Sequence, residues 1–444
     1  MPTLILGAES LLGEYSGVGW YTWHLYRGLR MRRVFDAVRL VANERWVSEQ
    51  ELALTKNGLG PIAVPDDASC RHHGGEEGSG LPDSPAAPDH LMSPKPRRPG
   101  SGLRRLVRAV PGAVELYSWM RRQRRDPSVP ELKRFFGHPP PDTLYHEPNF
   151  VLRPFNGPSL TTIHDLGWIH YPQWVNPPTL RILERGMQRT LEHATRVITV
   201  SRFVAGEVER ILGVPGDRIS VTPLGVSADF HPRDASVCAP VLSRYDLTHR
   251  RYVLSVSTLD PRKNLEGLIS AYAGLPRPLQ ARFPLVLVGG KGWGDALGPD
   301  FRRLQEAGLA RWLGYVPDAD LPPLYAGAAT FAMPSHYEGF GLPLLEAMAS
   351  AVPVLASNRA SIPEVVGDAG LLLEPDDTDA LCSGLERLLE DGALRERLAG
   401  YGLERASRFD WDTTVEESIN AYALALGRTR DAGGGVGDQP DATR

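Results

Sequence analysis

The sequence predicts an α/β protein with two domains, each built on a parallel β-sheet. Short apolar runs alternate with helix-compatible stretches along most of the chain, and this alternation is typical of parallel sheets with helices on both faces. The chain has 444 residues, which is too long for one ordinary hydrophobic core. We therefore predict an N-terminal domain at 1–225, a linker rich in breaker residues at 226–250 and a C-terminal domain at 251–410.

The predicted elements follow one another in the same way in both halves. Strands of the first half are predicted at 3–6, 38–42, 160–163, 197–200 and 219–222. Helices of the first half are predicted around 20–30, 179–193 and 202–212. Strands of the second half are predicted at 252–257, 285–288, 330–333, 354–356 and 371–373. Each of these is followed by a helix-compatible stretch or a glycine turn, and a last amphipathic helix is predicted at 411–426.

Three segments do not fit the alternating pattern. Segment 65–100 is dense in Gly, Pro, Ser and charged residues, so it buries too little apolar surface to fold and is predicted to be disordered. The glycine-containing tail 427–444 is predicted to be disordered as well. Segment 101–136 interleaves basic and apolar residues. We favour a helix packed by its apolar stripe, with peripheral contact to an anionic membrane as the alternative.

Possible metal ligands cluster within the first of these segments. They are Cys70, His72, His73, Glu76 and Glu77. Their spacing matches no structural zinc pattern, and no Asp-x-Asp metal site is apparent elsewhere. We therefore expect no metal and no other cofactor.

Bulk properties exclude several classes of function. The net charge of −4 gives the molecule no general attraction to nucleic acid. The three cysteines are far apart and odd in number, which argues against a disulfide framework and for a reducing compartment. The first residues lack the pattern of a signal peptide, and no apolar run is long enough to cross a bilayer. We expect a cytoplasmic protein, with 101–136 as the segment that would contact the inner face of the membrane.

The run 338–346 is the most informative stretch of the chain. Glu338 and Glu346 bracket a Gly-Phe-Gly loop that leads into a helix, and Pro343 suits the first helical turn. Backbone N–H groups at a helix N-terminus attract phosphates, whereas carboxylates accept hydrogen bonds from sugar hydroxyls. A site that combines both suits a nucleotide sugar.

Residues 334–349 resemble the signature of the retaining family 4 glycosyltransferases of the GT-B fold, most closely the mannosyltransferase-like members. The resemblance implies two facing Rossmann-like domains with an interdomain cleft. It also implies that Glu346 binds the ribose hydroxyls of the nucleotide and that Glu338 contacts the transferred sugar. The loop residues implied to cradle the phosphate and the sugar are Gly339, Phe340, Gly341 and Leu342.

A second glycine-containing loop lies at 13–20, between the first strand and the first helix. Gly17 and Gly19 allow the backbone to approach a ligand and leave helix N–H groups available. The equivalent loop of the family faces the diphosphate and the acceptor. A nicotinamide-binding fingerprint is the alternative, with Glu44 as its acidic residue, but the position of its third glycine holds Thr22.

His164 and Asp165 follow an apolar strand, and the carboxyl ends of parallel strands are where α/β folds bind ligands. The His-Asp-Leu run resembles the site at which the family's N-terminal domain contacts the donor sugar. By this resemblance His164 lies near the reacting centre. Ser201 is interpreted as a helix N-cap.

The cations of the predicted diphosphate site lie within 254–265. The family uses an arginine and a lysine five residues apart, which neutralise the departing diphosphate. Lys263 matches the lysine, whereas the arginine position holds Thr258. The sequence leaves open whether Arg262 replaces the missing arginine from its new position.

Two further loops resemble those that hold the nucleotide base in the family. They are 289–293 and 314–317, which contain Trp293, Tyr315 and Val316. We assign Val316 to donor binding and interpret the two aromatic residues as packing groups. Residues 409–426 resemble the family's closing helix, which crosses back onto the N-terminal domain.

Together these residues and the resemblance predict an enzyme that transfers a hexose to a hydroxyl acceptor, and the resemblance implies retention of anomeric configuration. We interpret the donor as GDP-mannose and the acceptor as a glycan, a lipid-linked glycan or a small glycoside. A glucosyltransferase that uses UDP- or ADP-glucose, and a phosphorylase or epimerase of the same fold, are the alternatives. A non-catalytic sugar-binding protein is less consistent with the presence of His164, Lys263 and Glu338.

Overall fold

The computed structural model describes residues 2–12, 17–43, 45–54, 142–290, 297–430 and 436–438. The predictions for 65–100 and 101–136, and those that concern Glu44 and Trp293, lie outside the described residues. Within them the α/β prediction is confirmed, because the chain forms two parallel sheets that are flanked by helices.

Within the described residues, the first sheet has seven strands in the spatial order β3-β2-β1-β4-β5-β6-β7. All neighbouring strands are parallel except β3, which runs antiparallel to β2 at one edge. The strands are β1 Thr3–Gly7, β2 Ala37–Ala42, β3 Arg45–Val47, β4 Thr143–Glu147, β5 Ser159–Ile163, β6 Arg196–Thr199 and β7 Ile219–Val221.

In the part of the chain that the structure describes, the second sheet has six parallel strands in the order β10-β9-β8-β11-β12-β13. They are β8 Val253–Val256, β9 Leu285–Val288, β10 Ala310–Trp312, β11 Thr330–Met333, β12 Val354–Ser357 and β13 Gly370–Leu373. The predicted strands of both halves are confirmed to within two residues, whereas β3, β4 and β10 were not predicted.

The described α-helices connect these strands or cover the sheets. They are α1 Gly17–Arg32, α2 Glu49–Leu54, α3 Gly167–His170, α4 Pro177–His193, α5 Arg202–Leu212, α6 Ala235–Arg244, α7 Leu265–Ala273, α8 Arg277–Arg282, α9 Gly298–Glu306, α10 Leu321–Ala326, α11 Leu342–Ala349, α12 Ile362–Val366, α13 Thr378–Glu390, α14 Gly392–Ala406 and α15 Trp411–Ala425. The side chain of Ser201 accepts a hydrogen bond from the Val204 N–H, so Ser201 is the predicted N-cap of α5.

The central strand β4 carries a buried histidine. The ring nitrogens of His146 lie 2.7 Å from the Tyr422 hydroxyl and 2.8 Å from the Thr162 hydroxyl. Burial lowers the pKa of His146 to about 3, so the ring is neutral and both nitrogens have a hydroxyl partner. Since Tyr422 belongs to α15, this contact ties the last long helix to the first sheet.

Helix α15 packs against α1 and against β5, β6 and β7 of the first sheet. The approach to α1 is close, because a Cβ added at Gly28 would overlap the side chain of Val415. Arg32 of α1 donates to Glu416 at 2.9 Å and to Asp412 at 2.8 Å. The N-terminal domain is therefore completed by residues that follow the C-terminal domain in sequence.

Two predicted irregular segments contain regular structure. The predicted linker 226–250 includes α6, whose Cys238 and Leu242 are buried, since apolar residues on one helix face outweigh the helix-breaking effect of Pro240. In the predicted disordered tail, Arg428–Arg430 pairs antiparallel with Val436–Asp438. These two short strands lie on either side of the glycine-rich stretch in the sequence. Hydrogen bonds between them pair backbone N–H and C=O groups, which the composition of the segment does not predict.

Candidate active site

The carboxyl ends of strands from both sheets meet at one place. His164 and Asp165 follow β5, the turn 257–263 follows β8, and the loop 334–341 connects β11 to α11. A Cβ added at Gly339 would overlap the carbonyl oxygen of His164 and lie 2.9 Å from Cβ of Asp165. The structure therefore brings the predicted N-terminal and C-terminal site residues into direct contact.

Lys263 and Glu338 form a buried ion pair at the centre of this site. The Lys263 ammonium donates to the two Glu338 carboxylate oxygens at 2.7 and 2.9 Å, and Glu338 is 7% exposed. Burial opposes ionisation, but Lys263 and Arg262 hold the pKa of Glu338 below its usual value. An ammonium has three N–H donors, so Lys263 keeps the capacity to bind a phosphate oxygen while it holds Glu338.

Arg262, the residue before Lys263, forms its ion pair with a different carboxylate. Asp260 caps the turn by accepting the Arg262 N–H at 2.9 Å, and the guanidinium donates to Asp165 of the N-terminal domain at 3.0 Å. Burial acts against the charge, but the carboxylates of Asp165 and Glu338 raise the pKa of Arg262. Arg262 therefore connects the two domains, and Thr258, at the position of the missing arginine, is exposed.

His164 has a defined orientation and tautomer. Its Nε2–H donates to the carbonyl oxygen of Pro148 at 2.8 Å, and its ring contacts Tyr21 and Phe150 edge to face. Burial lowers the pKa of His164. Nδ1 is therefore the unprotonated nitrogen, and it can accept a hydrogen bond from a ligand hydroxyl.

Hydroxyl groups fix the loop that leads into α11. Ser361 donates to the carbonyl oxygens of Glu338 and Phe340 at 2.9 and 3.1 Å, and Ser201 donates to that of Gly339 at 2.8 Å. Gly341 adopts a φ of 112°, which a residue with a side chain rarely adopts. These hydrogen bonds fix the orientation of the peptide groups that precede α11, which starts at Leu342.

Gly17, the first residue of α1, lies opposite the start of α11. A Cβ at Gly17 would lie 3.8 Å from the Leu342 side chain, and Gly19 is buried in the first turn of α1. The predicted glycines therefore border the same space as the α11 N-terminus.

Glu346 lies one turn into α11 and has a strongly perturbed carboxyl group. Burial raises the pKa of Glu346 to about 7, and the nearby Asp318 adds to this effect. Near neutral pH the Glu346 carboxyl is therefore only partly ionised. Ionising it in this buried position costs free energy, and a hydroxyl-rich ligand can offset that cost by donating hydrogen bonds to the carboxylate.

The loops assigned to the nucleotide base differ in exposure. Val316 is 3% exposed, so its side chain packs inside and only its backbone can face a ligand. Gly289 has a φ of 138°, and a Cβ there would overlap the Ser257 carbonyl. Tyr315 is 48% exposed.

Further contacts between the two domains were not predicted from the sequence. The Glu364 carboxylate accepts the Arg202 and Phe203 N–H groups at 2.9 and 3.0 Å, across the domains at the N-terminus of α5. Tyr337 accepts the Leu166 N–H at 3.0 Å and donates to Glu207. No local pattern marks these residues, because their partners lie more than a hundred positions away.

Among the described residues, no group of three or more His, Cys, Asp or Glu is placed to hold a metal ion. In the same part of the chain, no helix has both the length and the apolar character needed to cross a bilayer. The expectation of a metal-free, cytoplasmic protein stays a prediction.

Comparison with known proteins identifies the family of the chain. A family model described as Glycosyltransferase Family 4 matches residues 80–230, and one described as Glycosyl transferases group 1 matches 246–405. The chain is 41% identical over 422 residues to O-antigen chain mannosyltransferase B of Escherichia coli, covering 95% of this chain and 99% of the relative. It is 30% identical over 288 residues to the serotype-specific mannosyltransferase WbdA of Escherichia coli, covering 63% of this chain and 35% of that one.

A solved structure extends the comparison to the fold. Sucrose-phosphate synthase of Thermosynechococcus elongatus superposes with a TM-score of 0.61 over 96% of this chain and all of the other, at 21% identity. The two Rossmann-like domains of the GT-B fold, which the sequence predicts, are confirmed. The chain therefore belongs to the family 4 glycosyltransferases and is a glycosyltransferase enzyme of the GT-B type.

Proposed function

We propose that this enzyme transfers a mannosyl residue from GDP-mannose to a hydroxyl of an acceptor, with retention of anomeric configuration. The observation that carries the sugar assignment is the similarity to a mannosyltransferase over nearly the whole length of both chains. The site supports the reaction class, since it combines a buried cation, a helix N-terminus and two carboxylates.

In this proposal the diphosphate of the donor lies between Lys263 and the N-terminus of α11. The bond from the sugar C1 to the phosphate oxygen breaks, and its electron pair stays on the diphosphate. Lys263 and the N–H groups of Phe340, Gly341 and Leu342 stabilise this charge. Preorganised donors at a departing oxyanion are usually the largest contribution to catalysis.

The acceptor oxygen bonds to C1 on the face that the diphosphate leaves, which retains the configuration, and its proton passes to the departing phosphate oxygen. Glu338 and Nδ1 of His164 accept hydrogen bonds from the sugar hydroxyls and hold the ring between them. Domain closure assembles these groups, because His164 and Glu338 belong to different domains.

A donor panel tests the proposal. GDP-mannose should raise the melting temperature more than UDP-glucose, ADP-glucose or a dTDP-sugar, since a ligand that binds only the native state stabilises it. Incubation with GDP-mannose and a mannoside acceptor should give an α-linked product. A larger shift with UDP- or ADP-glucose would contradict the proposed donor. Product from the donor alone, or only with added phosphate, would indicate the epimerase or phosphorylase alternative.

Replacing Glu346 by glutamine should separate stability from donor binding. The raised pKa means that ionised Glu346 destabilises the ligand-free fold; this cost begins above pH 4.5, the usual carboxyl pKa, and is complete above about pH 7. At pH 8 we expect the variant to be more stable by on the order of 2 kcal/mol, with no difference at pH 4, measured by thermal or urea unfolding.

The same Glu346→Gln variant should bind GDP-mannose more weakly by calorimetry, because an amide accepts ribose hydroxyls less well than a carboxylate. Glu390→Gln, which removes an exposed carboxylate from α13, is the matched control and should change neither property. Equal donor affinity in the wild type and Glu346→Gln would reject the role of Glu346 in binding the nucleotide.

A further inference from the structure

A cavity of about 250 Å³ lies between the two domains, beside the Asp165–Arg262 ion pair. Its N-terminal wall comes from the segment that runs from the end of β5 through α3 into α4, and its C-terminal wall includes Asp260 and Arg262. Pockets for drug-sized ligands are larger, roughly 300–1,000 Å³. The cavity therefore suits a smaller ligand, of the size of one sugar ring.

Four aromatic side chains line this cavity. They are Phe150, Trp168, Tyr171 and Trp174. The rings of Tyr171 and Trp174 stack with their centroids 4.5 Å apart, and Trp174 also stacks on His336 of the C-terminal domain. This arrangement holds the wall rigid and presents apolar ring surface to the cavity.

Phe150 occupies its place in the wall at a conformational cost. Its φ is 61°, in the left-handed region that a bulky residue rarely adopts. The Phe150 N–H donates to the Thr162 carbonyl at 3.0 Å, and its own carbonyl accepts the Thr161 hydroxyl at 2.7 Å. Strain of this kind persists only where the surroundings enforce it, and it is frequent at ligand sites.

The charges of the cavity select against an anionic ligand. Asp165 and Asp260 both lie against Arg262, at 3.0 and 3.8 Å. Among the residues that line the cavity, two carboxylates and one guanidinium leave a net negative charge, which repels a phosphate or a carboxylate. Asn176 adds a neutral amide, and its side chain does not cap the helix α4 that it precedes.

We propose that this cavity is an acceptor subsite that binds a neutral pyranose unit. The apolar faces of the ring lie against the aromatic wall, and its hydroxyls bond to Asn176 and to the carboxylates. The cavity is lined by Asp165, which follows His164 in the sequence, and by Phe150, whose ring contacts that of His164, so a sugar bound there lies near the reacting centre. The inference rests on the proposed function. It specifies the acceptor as a neutral glycan and excludes a phosphorylated sugar or polyol.

The test uses binding of methyl α-mannoside in the presence of GDP, measured by saturation-transfer NMR. Asn176→Trp and Thr179→Trp each add bulk at a residue that lines the cavity. Gln173→Trp makes the same change at an exposed residue of the adjacent turn that does not line it. We expect mannoside affinity to fall about tenfold or more in both cavity variants and to stay unchanged in the control. Mannose 6-phosphate should bind far more weakly than methyl α-mannoside.

Two of the possible results would overturn the proposal. One is a wild-type protein that binds mannose 6-phosphate with the same affinity as the neutral mannoside, or that binds neither. The other is a pair of cavity variants that keep the wild-type affinity for the mannoside. The second variant guards against misfolding of the first. The measurement of mannoside binding does not require catalytic turnover. If GDP-mannose gives no product but the mannoside binds in the predicted pattern, the proposed donor is wrong and the subsite stands.

Discussion

Replacing Lys263 by alanine should reduce turnover by on the order of 100-fold or more, the effect of removing one preorganised charge-stabilising donor. Lys263 binds both oxygens of Glu338, so the variant also leaves a buried carboxylate without its closest cation. Breaking a buried pair on one side typically costs about 3–5 kcal/mol of stability. Turnover and the free energy of unfolding should therefore both fall, measured by steady-state kinetics and urea unfolding.

A double variant separates these two effects. Lys263→Met combined with Glu338→Gln removes both charges, so most of the stability should return while turnover stays low. Arg251→Ala, which removes an exposed cation just before β8, should leave turnover unchanged. Near-normal turnover in Lys263→Ala would show that the ammonium does not stabilise the leaving group.

Replacing Gly339 by alanine should abolish most of the activity without unfolding the protein. The added Cβ would overlap the backbone carbonyl of His164, and a backbone atom cannot move aside as a flexible side chain does. The domains relieve the overlap by separating, which moves His164 away from Glu338. We expect kcat/KM to fall by on the order of 100-fold, because misplacement by about 1 Å has effects of this size.

The matched change is Gly400→Ala in α14, where an added Cβ meets nothing within 4 Å. It should leave activity unchanged and stabilise the helix by up to about 1 kcal/mol. Calorimetry should show that Gly339→Ala still binds the donor nucleotide, since Glu346 and Lys263 belong to the same domain. Activity within about threefold of wild type would mean that the close approach of Gly339 to His164 is not needed.

The sequence predicted the parts of the fold whose hydrophobic pattern is local. Strand β9 is a continuous apolar run and β11 is apolar after its first residue, and the predicted bounds of both are confirmed. Strand β4 was missed because it contains His146 and Glu147, which look exposed but are 0% and 5% exposed. Hydrogen bonds from distant residues, such as Tyr422, make this burial tolerable, and no local pattern shows them.

The candidate site shows the same difference between features with a local sequence pattern and features that depend on distant residues. Glu338, Glu346 and Lys263 could be proposed as site residues because the motifs around them are contiguous in sequence. The partner of Arg262 was not predictable, since Asp165 comes from the other domain and lies 97 positions away in the sequence. The aromatic cavity was missed for a similar reason: its walls come from separate elements, and each aromatic residue alone resembles an ordinary packing residue.

The crossing of α15 has a consequence for how this protein is made. The hydroxyl of Tyr422 and the side chain of Val415 complete the interior of the first domain, yet the ribosome synthesises them after the whole second domain. The first domain therefore stays incompletely packed until α15 emerges from the ribosomal exit tunnel. Fragments that stop before Trp411 should yield a soluble second domain more readily than a soluble first one.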